Sequence, residues 1–264
     1  MEEQRNLHRV VVKIGTSTLT YATGKLNLRR IETLVRVLSD LRNTGMEVVL
    51  VSSGAVAAGT SRLGMEISDR TTEEKQALAA VGQCELMRLY ERLFGAYGHT
   101  VGQILVTKDV VDDEKRFALA KSTFATLLKF GCVPIVNEND SVSCEGIKFG
   151  GNDTLSAYVA MICEADLLIN LSDIDGLYDS DPRKNKNARL IERVDELNDT
   201  IFAMAGGTGT SRGTGGMATK LKAAQIATEA GIPMRILNGR DPRILYTIVD
   251  GQPGGTYFAA KKQE

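Results

Sequence analysis

Apolar positions along this chain follow two rhythms. Short runs dominated by Val, Ile and Leu occur at Arg9–Ile14 and at residues 47–51, 101–106, 132–136, 166–171 and 234–237. Runs of this kind, without polar alternation, predict strands buried on both faces. Between them, apolar residues recur at three- and four-residue spacing over 28–44, 73–94, 116–130, 154–163 and 217–230. That period predicts amphipathic helices. Gly45 and Gly231 stand where helices stop, and Pro233 follows the second. Buried strands alternating with helices predict a mainly parallel sheet covered on both faces, the α/β class. Ligands in such sheets bind beyond the carboxyl ends of the strands.

Composition narrows the partners. The 264 residues, 43% hydrophobic and 25% charged, suit one large α/β domain or two small ones, with a soft boundary expected within 179–187. A net charge of -1 offers no basic field for nucleic acid or anionic lipid. No stretch approaches the roughly 20 apolar residues that span a bilayer. The polar start over residues 1–9 lacks the apolar core of a secretory signal, so a cytoplasmic protein is expected. Cys84, Cys132, Cys144 and Cys163 form no CxxC pair, which predicts free thiols and no protein-held metal. Only His8 and His99 are available as histidine bases.

Four segments carry candidate chemistry. Lys13 lies inside an apolar strand and is followed by Gly15, so its ammonium either faces an anion or escapes along the sheet edge to water. Six of the 26 glycines fall within 206–216, directly before a helix that carries Lys220. Backbone N–H groups at such a turn make an anion site, and a lysine in the first turn opposes the helix dipole unless an anion is bound. A dinucleotide fingerprint is formally matched there but has no strand in front of it. The segments 136–140 and 148–154 are rich in Asn and Asp; in them Asp140 and Asn152 suit a small ligand carrying an ammonium and a carboxylate, and Asp153 is placed to hold lysines. The alternative is a pair of Asx turns, with Asp153 as a helix N-cap. Finally, Ser172 and Asp173 end a buried strand and open an Asp-rich turn. That turn lacks the closing Glu of a calcium loop, so nucleotide contact is the better reading.

In chain order the motifs VVKIGTS, LVSSGAVAAG, QALAAVGQ, IVNEND, GGNDTLSA, LSDIDGLYDSDPR and GTGGMATKLKAA cover nearly the whole sequence. Together they resemble the amino acid kinase family, and within it the branch acting on L-glutamate. VSSGAVAAG and VNEND set the chain apart from relatives acting on aspartate, acetylglutamate, carbamate or UMP. The resemblance implies a three-layer αβα sandwich with a mainly parallel central sheet, formed by a single kinase domain over 1–264. Its N-terminal part would mainly bind substrate and its part from about residue 165 mainly nucleotide. It implies transfer of phosphate from ATP, with Mg2+, to the γ-carboxylate of L-glutamate, the first step of proline synthesis. Lys13, Ser172, Asp173, Thr214, Gly215, Gly216, Met217, Ala218, Thr219 and Lys220 match the nucleotide positions. Ser53, Asp140 and Asn152 match the substrate positions, and Lys13, Lys220 and Asp153 the catalytic cluster. Feedback inhibition by proline and a homo-oligomer, dimer or tetramer, are implied in the same way.

Two departures stand out. Gly151 replaces an acidic residue often found before the Asn-Asp pair, and a kinase domain without the RNA-binding-like C-terminal domain of many relatives is expected. The residues alone also leave open an acetylglutamate or UMP acceptor, or a non-catalytic sensor. The charged stretch 108–116 reads either as a flap or as a solvated connection. A carboxylate acceptor is already ionised at neutral pH, with a reference pKa of about 4.3, so it needs no base. That agrees with a site of lysines, amides and glycines.

Overall fold

The computed structural model describes residues 7–66, 70–143, 149–205 and 216–261. Its strands are β1 (Arg9–Ile14), β2 (Glu47–Ser52), β3 (Val101–Val106), β4 (Val133–Glu138), β5 (Leu167–Ser172), β6 (Arg193–Val194), β7 (Met234–Asn238) and β8 (Thr256–Phe258). They form one sheet in the order β3-β4-β2-β1-β5-β7-β8-β6. Every pairing is parallel except β7 with β8. The chain moves outward from β1 on one side through β2 and on the other through β5, so the gap between β1 and β5 is the topological switch point.

The helices are α1 (Thr16–Leu19), α2 (Leu28–Asn43), α3 (Ala55–Arg62), α4 (Thr72–Gly95), α5 (Asp109–Asp112), α6 (Glu114–Lys129), α7 (Asn152–Ile162), α8 (Asp199–Met204), α9 (Met217–Glu229) and α10 (Ile244–Val249). Side chains alternate across each strand, which divides the core in two. Val10, Val12 and Ile14 of β1 pack with Ile31 and Leu34 of α2, Leu86 of α4 and Leu245 of α10. Val11 of the same strand packs with Phe124 of α6, Leu155 of α7 and Leu221 of α9. The result is the expected αβα sandwich with a mainly parallel centre.

The sequence places most elements within a few residues. β4 runs on through Asn137 and Glu138, which are buried strand residues rather than part of a turn. β6 and β8 carry too few residues for a pattern, and β8 follows Gly255, whose φ of +61° lets its backbone approach Ile236. The segment 108–116 folds into α5 and the start of α6, tied by the Asp109–Arg116 ion pair. The expected soft boundary at 179–187 lies in a connection whose two ends enter the same sheet. Cys84, Cys132 and Cys163 are free thiols; Cys144 lies outside the described residues.

One helix crossing fixes how α3 and α4 pack. A Cβ on Gly82 of α4 would lie 1.7 Å from the Ala55 carbonyl oxygen, and one on Gly59 of α3 2.0 Å from that of Leu78. Only glycine at both positions lets the two backbones touch. α4 itself starts from a capping box, in which the Thr71 hydroxyl accepts from the Glu74 N–H and the Glu74 carboxylate from the Thr71 N–H. Gly82→Ala therefore forces the helices apart, at a cost of about 1–3 kcal/mol or more. Calorimetry should show Tm lowered by at least about 3 °C, and an unchanged Tm would mean that the crossing yields freely.

Candidate active site

Lys13 ends the inward face of β1 that looks toward α7 and α9, and it is 6% exposed. Burial of an ammonium demands a partner. Its Nζ lies 2.5 Å from Oδ1 of Asp153, which is 3% exposed in the first turn of α7. The other carboxylate oxygen, Oδ2, lies 3.2 Å from Nζ of Lys220, in the first turns of α9 and 6% exposed. Two further donors complete the group. Asn170 Nδ2 donates to Oδ1 at 2.8 Å and Thr219 Oγ1 to Oδ2 at 2.8 Å. Asn170 sits on β5 directly beside Lys13 in register, at the switch point. Asp153 thus meets two cations, one with each carboxylate oxygen.

The helix starts explain why these residues meet. Gly151 is the N-cap of α7, with φ 120° and ψ 165°, a backbone region that is essentially glycine-only. Asp153 is therefore not the N-cap, and its carboxylate is available to the lysines. The same backbone accounts for glycine at 151, since an acidic side chain there would be strained. Gly216 caps α9 with no side-chain hydrogen bond, and the first turn of α9 carries no acidic residue. Met217, Ala218, Thr219 and Lys220 thus present helix N-terminal N–H groups beside the cluster. Thr214 and Gly215 lie outside the described residues. Ser172, buried at the end of β5, and exposed Asp173 stand two and three residues past Asn170, with Ser172 Oγ donating to Asp173 Oδ1 at 3.3 Å.

A second, uncharged cluster adjoins the first through consecutive residues 152 and 153. Asn152 Nδ2 donates to Ser53 Oγ and to Asn137 Oδ1, each at 2.8 Å. Asn137 Nδ2 donates in turn to Gln83 Oε1 at 3.1 Å. Ser53 follows β2, and its N–H donates to the Ile14 carbonyl oxygen at 3.1 Å, which joins it to the end of β1. The neighbouring Ser52 hydroxyl contacts buried Tyr90 OH at 2.8 Å. Burial pushes the Tyr90 phenol up to about 12, so it stays protonated. Asp140 lies half-buried in the turn beyond β4, at the same end of the sheet.

The structure therefore joins Lys13, Lys220, Asp153 and Thr219 in one cluster and Ser53 with Asn152 in another. Sequence reasoning missed Asn170, Asn137 and Gln83 as members. Asn170 was detectable by the signal that exposed Lys13, a lone polar residue in an apolar strand. Gln83 closes the QALAAVGQ motif, but nothing in that motif gives its contact with Asn137, which depends on the α3–α4 crossing.

Burial opposes the ionised form of Asp153, but the Lys13 and Lys220 ammonium groups outweigh it and hold the carboxyl well below the usual carboxylate range. Burial pulls Lys13 below the ordinary lysine range; Asp153 works against that pull and Lys220 adds to it.

The sequence pattern of the amino acid kinase family matches residues 8–238. A protein named glutamate 5-kinase from Clostridium perfringens is 53% identical over 260 residues, covering 97% of each chain. One of the same name from Listeria innocua is 48% identical, covering 100% of this chain and 97% of its own. A longer one from Carboxydothermus hydrogenoformans is 53% identical, and the match spans 70% of its length. Among solved structures, UMP kinase from Bacillus anthracis superposes with a TM-score of 0.66 at 17% identity, covering 98% of each chain. An isopentenyl phosphate kinase gives 0.66 at 17% identity, covering 96% of this chain and 100% of its own. At that identity these two establish the fold alone.

A depressed carboxyl pKa stabilises the folded state above the unfolded value, near 3.8, and that stability is lost as pH falls through the lower folded value. In acid titrations followed by circular dichroism, wild type should lose stability steeply below about pH 4, while Asp153→Asn shows a shallower slope there. Equal slopes would mean that Asp153 is not held ionised.

Proposed function

The chain belongs to the amino acid kinase family, and from that premise we propose that it transfers the γ-phosphoryl group of ATP to the γ-carboxylate of L-glutamate. The product is L-glutamyl 5-phosphate, the first intermediate of proline synthesis. The observation that carries this reading is the buried Lys13–Asp153–Lys220 group set beside the Asn152–Ser53–Asn137 amide network. It is supported by the name shared by full-length relatives at about half identity.

A carboxylate oxygen of glutamate forms a bond to the γ-phosphorus while the bond from that phosphorus to the β–γ bridging oxygen breaks, and ADP departs. No proton moves, because the acceptor is already ionised. The barrier is repulsion between anions and charge on the transferring group, which positioning and electrostatics lower. Lys13 and Lys220 supply the positive charge at that point. Asp153 fixes both ammonium groups, one with each carboxylate oxygen. Ser172, Asp173 and residues 214–220 hold the nucleotide, with the N–H groups at the start of α9 facing its phosphates. Ser53 and Asn152 hold the acceptor, Asn137 and Gln83 orient Asn152, and Asp140 pairs with the substrate ammonium. A magnesium ion bound with ATP would supply further positive charge to the phosphates, beside the Lys13 and Lys220 ammonium groups. No cluster of three His, Cys, Asp or Glu that could hold a metal occurs among the described residues.

The same reading makes 1–264 a single kinase domain, mainly substrate-binding before about residue 165 and mainly nucleotide-binding after it. It works as a cytoplasmic homo-oligomer, dimer or tetramer, without nucleic-acid or membrane partners, and under feedback by proline. No helix among the described residues is long and apolar enough to cross a membrane.

The test is an acceptor panel with ATP, Mg2+ and hydroxylamine. L-Glutamate should give a hydroxamate, because hydroxylamine displaces phosphate from an acyl phosphate; UMP and acetylglutamate should not be turned over. Lys220→Ala should lower kcat at least about a hundredfold, and Asp140→Ala should mainly raise the glutamate KM. Turnover of UMP, or tight ATP binding with no transfer to glutamate, would overturn the assignment.

A further inference from the structure

A second basic centre lies on the opposite layer from the candidate active site. Where α2 begins and the turn between β7 and α10 passes, a cleft of about 410 Å³ is lined by Arg29, Arg30, Arg36, Arg240, Arg243 and Asp241, with Asn27, Thr33, Tyr21 and Pro242. Five arginines and one aspartate give the lining a formal charge of +4, in a chain whose total is -1. The charge is thus concentrated here and does not follow from composition.

Two of the five arginines are structural. Arg30 Nη1 donates to the Thr18 carbonyl oxygen at 2.6 Å and its Nε to that of Arg240 at 3.1 Å, which ties the start of α2 to the turn after β7. Arg243 forks onto Asp241, with Nε 2.9 Å from both carboxylate oxygens and Nη2 2.6 Å from Oδ2. That pair consumes the aspartate. The side chains of Arg29, Arg36 and Arg240 make no hydrogen bond or ion pair among the described residues. Asp241 and, further along α2, Asp40 are the acidic groups near Arg36.

The helix adds to the imbalance. α2 is 16 residues long, its first turn carries Arg29 and Arg30, and it has no acidic residue there. Cations at a helix N-terminus oppose the macrodipole, and a bound anion reverses that cost. Guanidinium forks match oxyanions through paired N–H donors better than ammonium groups do. The volume and the number of forks exceed what one phosphate needs.

We propose that this cleft is a second ligand site, distinct from the kinase site, that binds a compound carrying two or more linked phosphate groups. Arg29, Arg36 and Arg240 bind the phosphates, while Arg30 and the Arg243–Asp241 pair hold the walls. The site and the kinase centre lie on opposite faces of the sheet, so each can be altered separately.

The test uses inorganic tripolyphosphate as the probe, titrated calorimetrically into the full chain and into the triple variant Arg29→Ala/Arg36→Ala/Arg240→Ala. Wild type should bind two equivalents, one at each centre. The variant should lose one equivalent, or weaken it at least tenfold (about 1.4 kcal/mol), with Tm, kcat and the KM for ATP retained. Orthophosphate should bind the cleft at least tenfold more weakly than tripolyphosphate. GTP binding the cleft as tightly as tripolyphosphate would support phosphates alone as the determinant, and tighter binding would support a nucleotide source. One equivalent in wild type, or unchanged binding in the variant, would overturn the site. Because kcat and the ATP KM report the kinase centre, loss of transfer would count against the proposed reaction and not against the cleft.

Discussion

The carboxylate of Asp153 is the constraint on which the rest of the site depends. Two ammonium groups buried within reach of each other repel, and each alone would shed its proton or be expelled to water. Asp153 meets both, one with each oxygen, and Asn170 and Thr219 occupy further acceptor positions. Removing one partner of a buried ion pair typically costs about 3–5 kcal/mol, because the other charge is left uncompensated. A buried group of this kind adds little net stability over an apolar core, and what it does is hold two ammonium groups in fixed positions at the strand ends. Buried polar groups of this kind are worth keeping only where they do something that an apolar core would not.

The sheet order supplies the place. β1 and β5 part at the switch point, and Lys13 and Asn170 stand side by side across it. α7 and α9 begin above those strand ends, so Asp153 and Lys220 arrive there in their first turns. The other side of the site rests on packing. Glycines at 59 and 82 let α3 and α4 touch, which positions Gln83, then Asn137, then Asn152. The charged centre and the amide network are joined by one peptide bond, between Asn152 and Asp153. A shift of α7 would disturb both.

Much of this was legible before the fold was known. The apolar runs located the six longer strands, and the unusual lysine in one of them marked the charged centre. Asn170 carries the same signal as Lys13, a polar residue in an apolar strand, but without a charge to mark it. Gln83 and Asn137 act through contacts between elements far apart in sequence, which periodicity does not encode. The edge strands β6 and β8 hold two and three residues, too few for a pattern. Asp153 had a local reading as a helix cap. What displaced it was the backbone at Gly151, whose φ of 120° moves the cap one residue before the Asn-Asp pair. The arginine cleft was invisible because its residues come from two ends of the chain, and each arginine alone reads as an ordinary solvated charge.

The most direct measurement of the central claim is the titration of the Lys13 side-chain nitrogen by NMR, in wild type and in Asp153→Asn. With Asp153 present, Lys13 should titrate below the ordinary value of 10.5, because burial outweighs its carboxylate partner. In the variant that partner is gone and Lys220 still repels, so the Lys13 pKa should fall further. A Lys13 pKa that is unchanged or higher in Asp153→Asn would contradict the account.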